Sequence, residues 1–282
     1  MRVKQKKPDW IRLKIQGSKN QQAVESMLAN MHLNTVCQEA NCPNKMECYE
    51  RGTATFMILG KHCTRNCKFC NVTTKKPLPL DPNEPLHLAQ AVEALGLKHA
   101  VVTSVDRDDL EDEGANHFAE CCRKIKELNP NTTVELLIPD FHAREELLDI
   151  VLDSKPDVLN HNVETVEEIF DDICPQSNFT HSLRVLEYAK EKGFVTKSGM
   201  MVGLGETEEM VLGTMQKLRD VGCDMLTIGQ YLQPSVKHIE VAEYIHPDQF
   251  EFYRVKGLEM GFKRVESSPF VRSSYHAEAL NE

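Results

Sequence analysis

Residues 54–70 read ATFMILGKHCTRNCKFC: a short apolar run, partly β-branched, that ends in glycine and leads directly to Cys63, Cys67 and Cys70. A run of this length and composition fits a buried strand better than a helix. The cysteines then fall in the loop after that strand, where the functional loops of β/α barrels lie. Soft thiolates suit iron, and three of them within eight residues can wrap three corners of a four-iron cluster. No fourth cysteine follows nearby, so one iron keeps the open site that catalysis at a metal requires. The competing reading is a structural zinc ion with a distant fourth ligand, but C-x3-C-x2-C is not the spacing of the common zinc pairs.

Working outward, candidate strands cover 100–105, 133–138, 157–160, 195–202 and 225–228. Helical patterns fall between them, near 85–95, 115–128, 143–152, 163–170, 182–192 and 206–221, and another covers 247–260 with Pro247 in its first turn. Repeated strand–helix units imply a parallel sheet with helices outside it. Six units predict an α/β fold, a partial (β/α)6 TIM-like barrel with N-terminal and C-terminal cluster-binding extensions; a doubly wound sheet shares the pattern. The expected division is an N-terminal extension over 1–53, the barrel over 54–240 and a closing segment over 241–282.

The polar, weakly periodic stretch before the barrel carries a second group, Cys37, Cys42 and Cys48. C-x4-C-x5-C is only moderately specific, and free core cysteines compete with it. Two triads fourteen residues apart make coincidence a poor explanation. Ten cysteines in 282 residues, six of them between Cys37 and Cys70, suit metal or redox chemistry in a reducing compartment better than a disulfide framework. No run of 18 or more apolar residues is present, and MRVKQKKPDWIRLK lacks the apolar stretch of a secretory signal, so a cytoplasmic protein with no membrane partner is expected. A net charge of −10 disfavours nucleic acid as a partner. The first twenty residues run the other way, with Arg2, Lys4, Lys6, Lys7, Arg12, Lys14 and Lys19 against Asp9. A solvated tail is the plain reading and docking of an acidic partner the sharper one.

Four stretches resemble the lipoyl synthase family of radical S-adenosylmethionine enzymes: VCQEANCPNKMECYERGTATFMILGKHCTRNCKFCNV at 36–72, HNVET at 161–165, KSGMMVGLGET at 197–207 and VRSSYHA at 271–277. The resemblance runs from about Pro8 to Ala277. It implies that Cys63, Cys67 and Cys70 hold the [4Fe-4S] cluster that binds and cleaves S-adenosyl-L-methionine, with Phe69 as the aromatic residue before the last cysteine of the motif. Cys37, Cys42 and Cys48 then hold an auxiliary [4Fe-4S] cluster, whose fourth ligand is a serine of Arg272-Ser273-Ser274-Tyr275. Ser274 is the expected ligand and Ser273 the alternative. A serine oxygen is harder than a thiolate sulfur, which suits a ligand that leaves when the cluster is dismantled. On its own a Ser-Ser pair would mean a capped turn.

The implied activity is radical insertion of two sulfur atoms at C6 and C8 of a protein-bound octanoyl-lysine chain, with the auxiliary cluster consumed as the sulfur source. The implied partners are an octanoylated lipoyl-carrier domain (the acyltransferase component of a 2-oxoacid dehydrogenase, or the glycine cleavage H protein), a reductant such as flavodoxin or ferredoxin, and an iron–sulfur carrier. The rival enzyme is another two-cluster radical enzyme with a different auxiliary ligand set; the rival non-enzyme is an iron–sulfur electron carrier or a zinc protein.

Gly203 and Gly205, after a candidate strand, lack the third glycine of a dinucleotide fingerprint and are expected to line the S-adenosylmethionine pocket, with tight turns as the bland alternative. Asn162 and Glu164 are candidates for its ribose or amine, although Glu164 could instead cap the next helix. Thr103, Ser104 and Asp106 are candidates for its methionine moiety. Cys121 and Cys122 are adjacent on a helix, where neighbouring side chains diverge by about 100°, so they read as packing residues, as does Cys223. The chain departs from the family at Cys174 and Phe179, which replace the usual arginine and tyrosine, and at Tyr49 and Ser268, which replace tryptophan and glycine. His276 reads as a surface imidazole.

Overall fold

A computed structural model describes residues 6–11, 19–50 and 54–274. Arg2, Lys4, Arg12 and Lys14 of the basic segment, and Tyr275 and His276 beyond the serine pair, lie outside the described residues. The strands are β1 (Asn34–Thr35), β2 (Thr55–Ile58), β3 (His62–Cys63), β4 (Thr73–Thr74), β5 (His99–Ser104), β6 (Thr133–Leu137), β7 (Val158–Asn160), β8 (Thr196–Val202), β9 (Met225–Gln230) and β10 (Arg264–Ser268). Eight form one sheet in the order β1-β2-β5-β6-β7-β8-β9-β10, and β3 and β4 pair separately. Only β1 runs antiparallel, against β2; the other ladders of the sheet are parallel.

Helices follow the parallel strands β2, β5, β6, β7, β8 and β9 of the main sheet: Glu84–Leu95 (after the β3–β4 loop), Ala115–Leu128, Glu145–Leu152, the pair Glu167–Ile173 and Phe179–Glu191, Glu208–Asp220 and Pro247–Glu259. Six strand–helix units thus build a partial barrel, as the sequence pattern predicts. A seventh parallel strand, β10, continues the sheet past residue 240, where that pattern ends the barrel. Its sequence RVESS buries only Val265, so its ladder to β9 decides the strand and its composition does not. The helix expected over 163–170 starts later, at Glu167. Glu164 takes a left-handed φ of 62° and bridges to β8, its N–H donating to the Gly199 carbonyl at 3.1 Å. The N-terminal extension is not irregular throughout: Lys19–Asn30 is helical and buries Val24 and Leu28, an i, i+4 pair.

Two hydrophobic clusters form the core. The first joins β2, β5 and β6 to the helices 84–95, 115–128 and 145–152; the second joins β8, β9 and β10 to the helices 208–220 and 247–259. Cys121 and Cys122 are buried in the first and Cys223 in the second, as packing residues. Near the N-terminal ends of the strands, Lys197 Nζ lies 2.9 Å from Glu135 Oε1, His99 Nε2 lies 3.3 Å from Glu135 Oε2, and Asn160 donates to Glu135 Oε1 at 2.7 Å. Burial alone would raise the Glu135 carboxyl; the Lys197 and His99 charges overcome it and hold it at about 2. This network closes one end of the barrel. The other end is open.

Candidate active site

A cavity of about 710 Å³ lies at the C-terminal ends of the strands, and all six cysteines of the two triads line it. The loop carrying Cys63, Cys67 and Cys70 is fixed from several directions. β3 and β4 fold it back on itself, pairing His62 with Thr73 and Cys63 with Thr74. Arg65, with a side chain 4% exposed, reaches Asp108 Oδ1 at 2.7 Å, Asp140 Oδ1 at 2.8 Å and Ser177 Oγ at 3.2 Å. Burial disfavours this guanidinium's charge, but Asp108, Asp106 and Asp140 more than reverse the effect and keep it charged. Backbone bonds complete the frame: Thr64 N–H to the Asp106 carbonyl (3.1 Å) and Lys68 N–H to the Ile173 carbonyl (2.9 Å). Asn66 N–H donates to Gln176 Oε1 at 2.5 Å, and His238 Nε2 lies 2.9 Å from the Cys70 carbonyl. Cys63 Sγ stands 3.3 Å from both the Asp106 N–H and its carboxylate.

The N-terminal triad, Cys37, Cys42 and Cys48 (the first in chain order), rests on lighter structure. Cys37 belongs to the short helix Val36–Glu39, whose N-cap Thr35 accepts from Gln38 N–H. Cys42 donates its N–H to the Cys37 carbonyl at 3.0 Å, and Cys48 lies in the helix Lys45–Glu50. The C-terminal segment reaches across to this triad. Asn44 donates to the Phe270 carbonyl at 2.7 Å, and Thr55 Oγ1 donates to Ser274 Oγ at 2.6 Å. Thr55 also hydrogen-bonds with Cys37, so Ser274 stands beside the first triad through one shared neighbour. Ser273 faces another wall, donating to Asn162 Oδ1 at 2.9 Å. Two glycines allow this approach: a Cβ at Gly199 would lie 2.8 Å from Asn162 Oδ1 and 3.1 Å from Ser273 Oγ, and one at Gly229 would strike the Val271 carbonyl oxygen.

The soft thiolate donor set of each triad suits iron. Among the described residues the only three potential ligands within 4.8 Å of one another are Asp108, Glu113 and His142, and Arg65 and Arg144 already neutralise the carboxylates there. The three sulfurs of neither triad all lie within that distance of one another. Burial pushes the Cys37 thiol up to about 11, the Cys70 thiol up to about 12 and the Cys63 thiol higher still. Such thiols ionise only when a cationic group compensates for their burial.

Phe69, Thr103, Ser104, Asp106, Asn162 and Glu164 also line the cavity. The Thr103 hydroxyl is engaged by the Leu137 carbonyl at 3.0 Å, whereas the buried Ser104 Oγ has no protein partner. Glu164 does not cap the helix after it, where Val166 is the N-cap. Burial raises its carboxyl to about 7. Gly203 and Gly205 fall outside the cavity lining. Glu206 turns its carboxylate back to accept from the N–H groups of Gly203 and Leu204, and the Gln230 side chain packs on Gly203.

Sequence reasoning missed Arg65, Arg272 and His238. The available signal for Arg65 was a cation inside the cysteine loop with acids at Asp106, Asp108 and Asp140 after two strands. Arg272 lines the cavity near Cys42, where burial lowers the guanidinium and Cys42 opposes that. Cys174 is buried with its thiol against Cys67, a contact that raises it along with burial, and Phe179 packs edge-on against Phe170 at 5.5 Å.

The sequence profile of the Radical SAM superfamily matches residues 57–218. The chain is similar to lipoyl synthases: 51% identical to that of Treponema denticola over 278 residues (99% of this chain, 96% of the relative). It is 54% identical to that of Caldanaerobacter subterraneus subsp. tengcongensis over 275 residues (97% and 96%). Among solved structures, methylornithine synthase shares the fold at a TM-score of 0.57 and 16% identity, covering 80% of this chain and 76% of its own.

Proposed function

The chain belongs to the lipoyl synthase family of the radical SAM superfamily, and from that premise we propose that its two cysteine triads hold clusters with separate tasks. It is a sulfurtransferase that uses S-adenosylmethionine and [4Fe-4S] clusters. When bound, the cluster on Cys63, Cys67 and Cys70 supplies reductive cleavage of S-adenosylmethionine, and the one on Cys37, Cys42 and Cys48 supplies sulfur. The protein's own residues bind, orient and exclude water. Ser104 offers an unpaired hydroxyl to the methionine moiety, and Asn162 and Glu164, 3.3 Å apart, offer a donor and an acceptor to the ribose. Met57, Leu137 and Met200 give the cavity apolar wall for an octanoyl chain. Ser274 is the displaceable fourth ligand of the first triad, and residues 270–274 close the cavity over both groups. Holding the chain in such a channel contributes on the order of 7–11 kcal/mol to reaction at unactivated carbons.

In this assignment residues 1–53 carry the sulfur-donating site, the radical barrel starts at 54 and runs through β10, and the segment after β10 closes the cavity. The substrate is an octanoyl-lysine on a folded lipoyl-carrier domain, because a tethered end gives the placement that a free eight-carbon acid lacks. A one-electron reductant and an iron–sulfur carrier complete the partners. Ten free cysteines support a reducing, cytosolic setting, and among the described residues no helix is long and apolar enough to cross a membrane.

One observation carries the assignment: both triads and Ser274 line a single cavity. The test is anaerobic reconstitution followed by reaction with an octanoylated carrier peptide, read by mass. Addition of two sulfur atoms is expected. Cleavage of S-adenosylmethionine with no sulfur added to any octanoyl substrate would contradict it.

A further inference from the structure

The chain carries a net charge of −10, yet residues 61–80 hold Lys61, Arg65, Lys68, Lys75 and Lys76 and no acidic residue. Arg65 is buried and neutralised, but the four lysines are exposed. Lys237 joins them, because its loop is bound to the cysteine loop by Ile239 N–H on the Lys68 carbonyl at 3.2 Å and by His238 against the Cys70 carbonyl. The remaining lysines are tied to the same frame: His62 Nδ1 lies 3.1 Å from the Lys76 carbonyl, and Thr74 Oγ1 donates to the Arg65 carbonyl at 3.1 Å. Among the described residues none of the five lysines makes an ion pair. Val236 and Leu78, 83% and 55% exposed, add apolar surface on the same loops.

We infer that this lysine-bearing outer face of the Cys63–Cys70 loop docks an acidic protein that donates single electrons. The inference rests on the assignment of a reducible cluster to that loop. None of the five lysines lines the cavity, so the patch surrounds the loop from outside. An octanoyl arm must enter the cavity, whereas an electron donor needs only a short approach to the cluster through its protein wall. One electron leaves the reduced donor for each S-adenosylmethionine cleaved, breaking a carbon–sulfur bond of the sulfonium to give methionine and a carbon radical. Unpaired lysines on a protein of net negative charge attract an acidic partner to this face.

The test uses Lys75→Glu/Lys76→Glu/Lys237→Glu holoenzyme, with fully reduced flavodoxin as the probe donor and saturating dithionite as the chemical reductant. The expected result is a second-order rate constant with flavodoxin lowered about tenfold or more at low ionic strength, with the gap closing as salt is added. Iron content and dithionite-driven cleavage should match the wild type. A wild-type rate with flavodoxin would overturn the docking surface. Equal loss with dithionite would overturn it in favour of a structural role. A raised KM for the octanoylated carrier under dithionite, with the flavodoxin rate unchanged, would assign the patch to the substrate domain instead. Failure of the wild type itself to cleave S-adenosylmethionine with dithionite would overturn the cluster assignment beneath it.

Discussion

The two cysteine triads share a cavity but are held very differently. The Cys63–Cys70 loop is anchored by a buried arginine among three carboxylates, by a strand pair, and by bonds to the segments 173–177 and 238–239. The Cys37–Cys48 segment consists of two short helices, tied to the barrel through Asn44, Thr55 and the C-terminal segment. The contrast matches the tasks. On the proposed assignment, a site that must return to one geometry after every turnover has the more heavily bonded frame, and a site whose contents are spent has the lighter one.

Several substitutions would break or sharpen that contrast. Replacing Cys63, Cys67 and Cys70 with Ala should abolish S-adenosylmethionine cleavage and reduce about eight irons to about four, measured by iron assay and 5′-deoxyadenosine yield. Next, Ser274→Ala should keep 5′-deoxyadenosine production while losing sulfur insertion; native lipoyl yield from Ser274→Ala, with loss in Ser273→Ala, would exchange the two hydroxyls. Arg65→Met leaves Asp106, Asp108 and Asp140 without their cation and should cost about 3–5 kcal/mol by denaturant melts, with the Cys63–Cys70 cluster the first to be lost. Asn44→Ala removes one bond to the Phe270 carbonyl, worth about 1 kcal/mol, and should shorten the lifetime of the first triad's cluster alone.

The closed end of the barrel should respond to acid independently of either triad. Glu135 sits at about 2 in the folded protein against 4.5 in its absence, so the folded state binds fewer protons at this group. Its stabilisation is present above about pH 4.5 and is lost as pH falls toward 2. Glu135→Gln should flatten that part of the stability profile, checked by melts from about pH 7 down to 3.

The barrel was legible because its strands carry short apolar runs and its helices a clear period, as at 100–105 and 115–128. β10 was not, since its ladder partner rather than its composition makes it a strand. The six cysteines were legible because ligand chemistry restricts both residue type and spacing. Arg65 was harder, because its partners at 108 and 140 are gathered only by the sheet. At Gly203 the glycine-rich strand end was legible, but not the Glu206 carboxylate and Gln230 side chain that the fold sets against it.

The central claim, that the triads hold separate clusters with separate tasks, is tested most directly by the Cys37→Ala/Cys42→Ala/Cys48→Ala enzyme. After anaerobic reconstitution, 5′-deoxyadenosine and sulfur-bearing product are measured together on an octanoylated carrier peptide. The prediction is 5′-deoxyadenosine formation with about four irons retained and no sulfur added. Sulfur insertion at the wild-type yield, or loss of S-adenosylmethionine cleavage despite a loaded Cys63–Cys70 cluster, would contradict it.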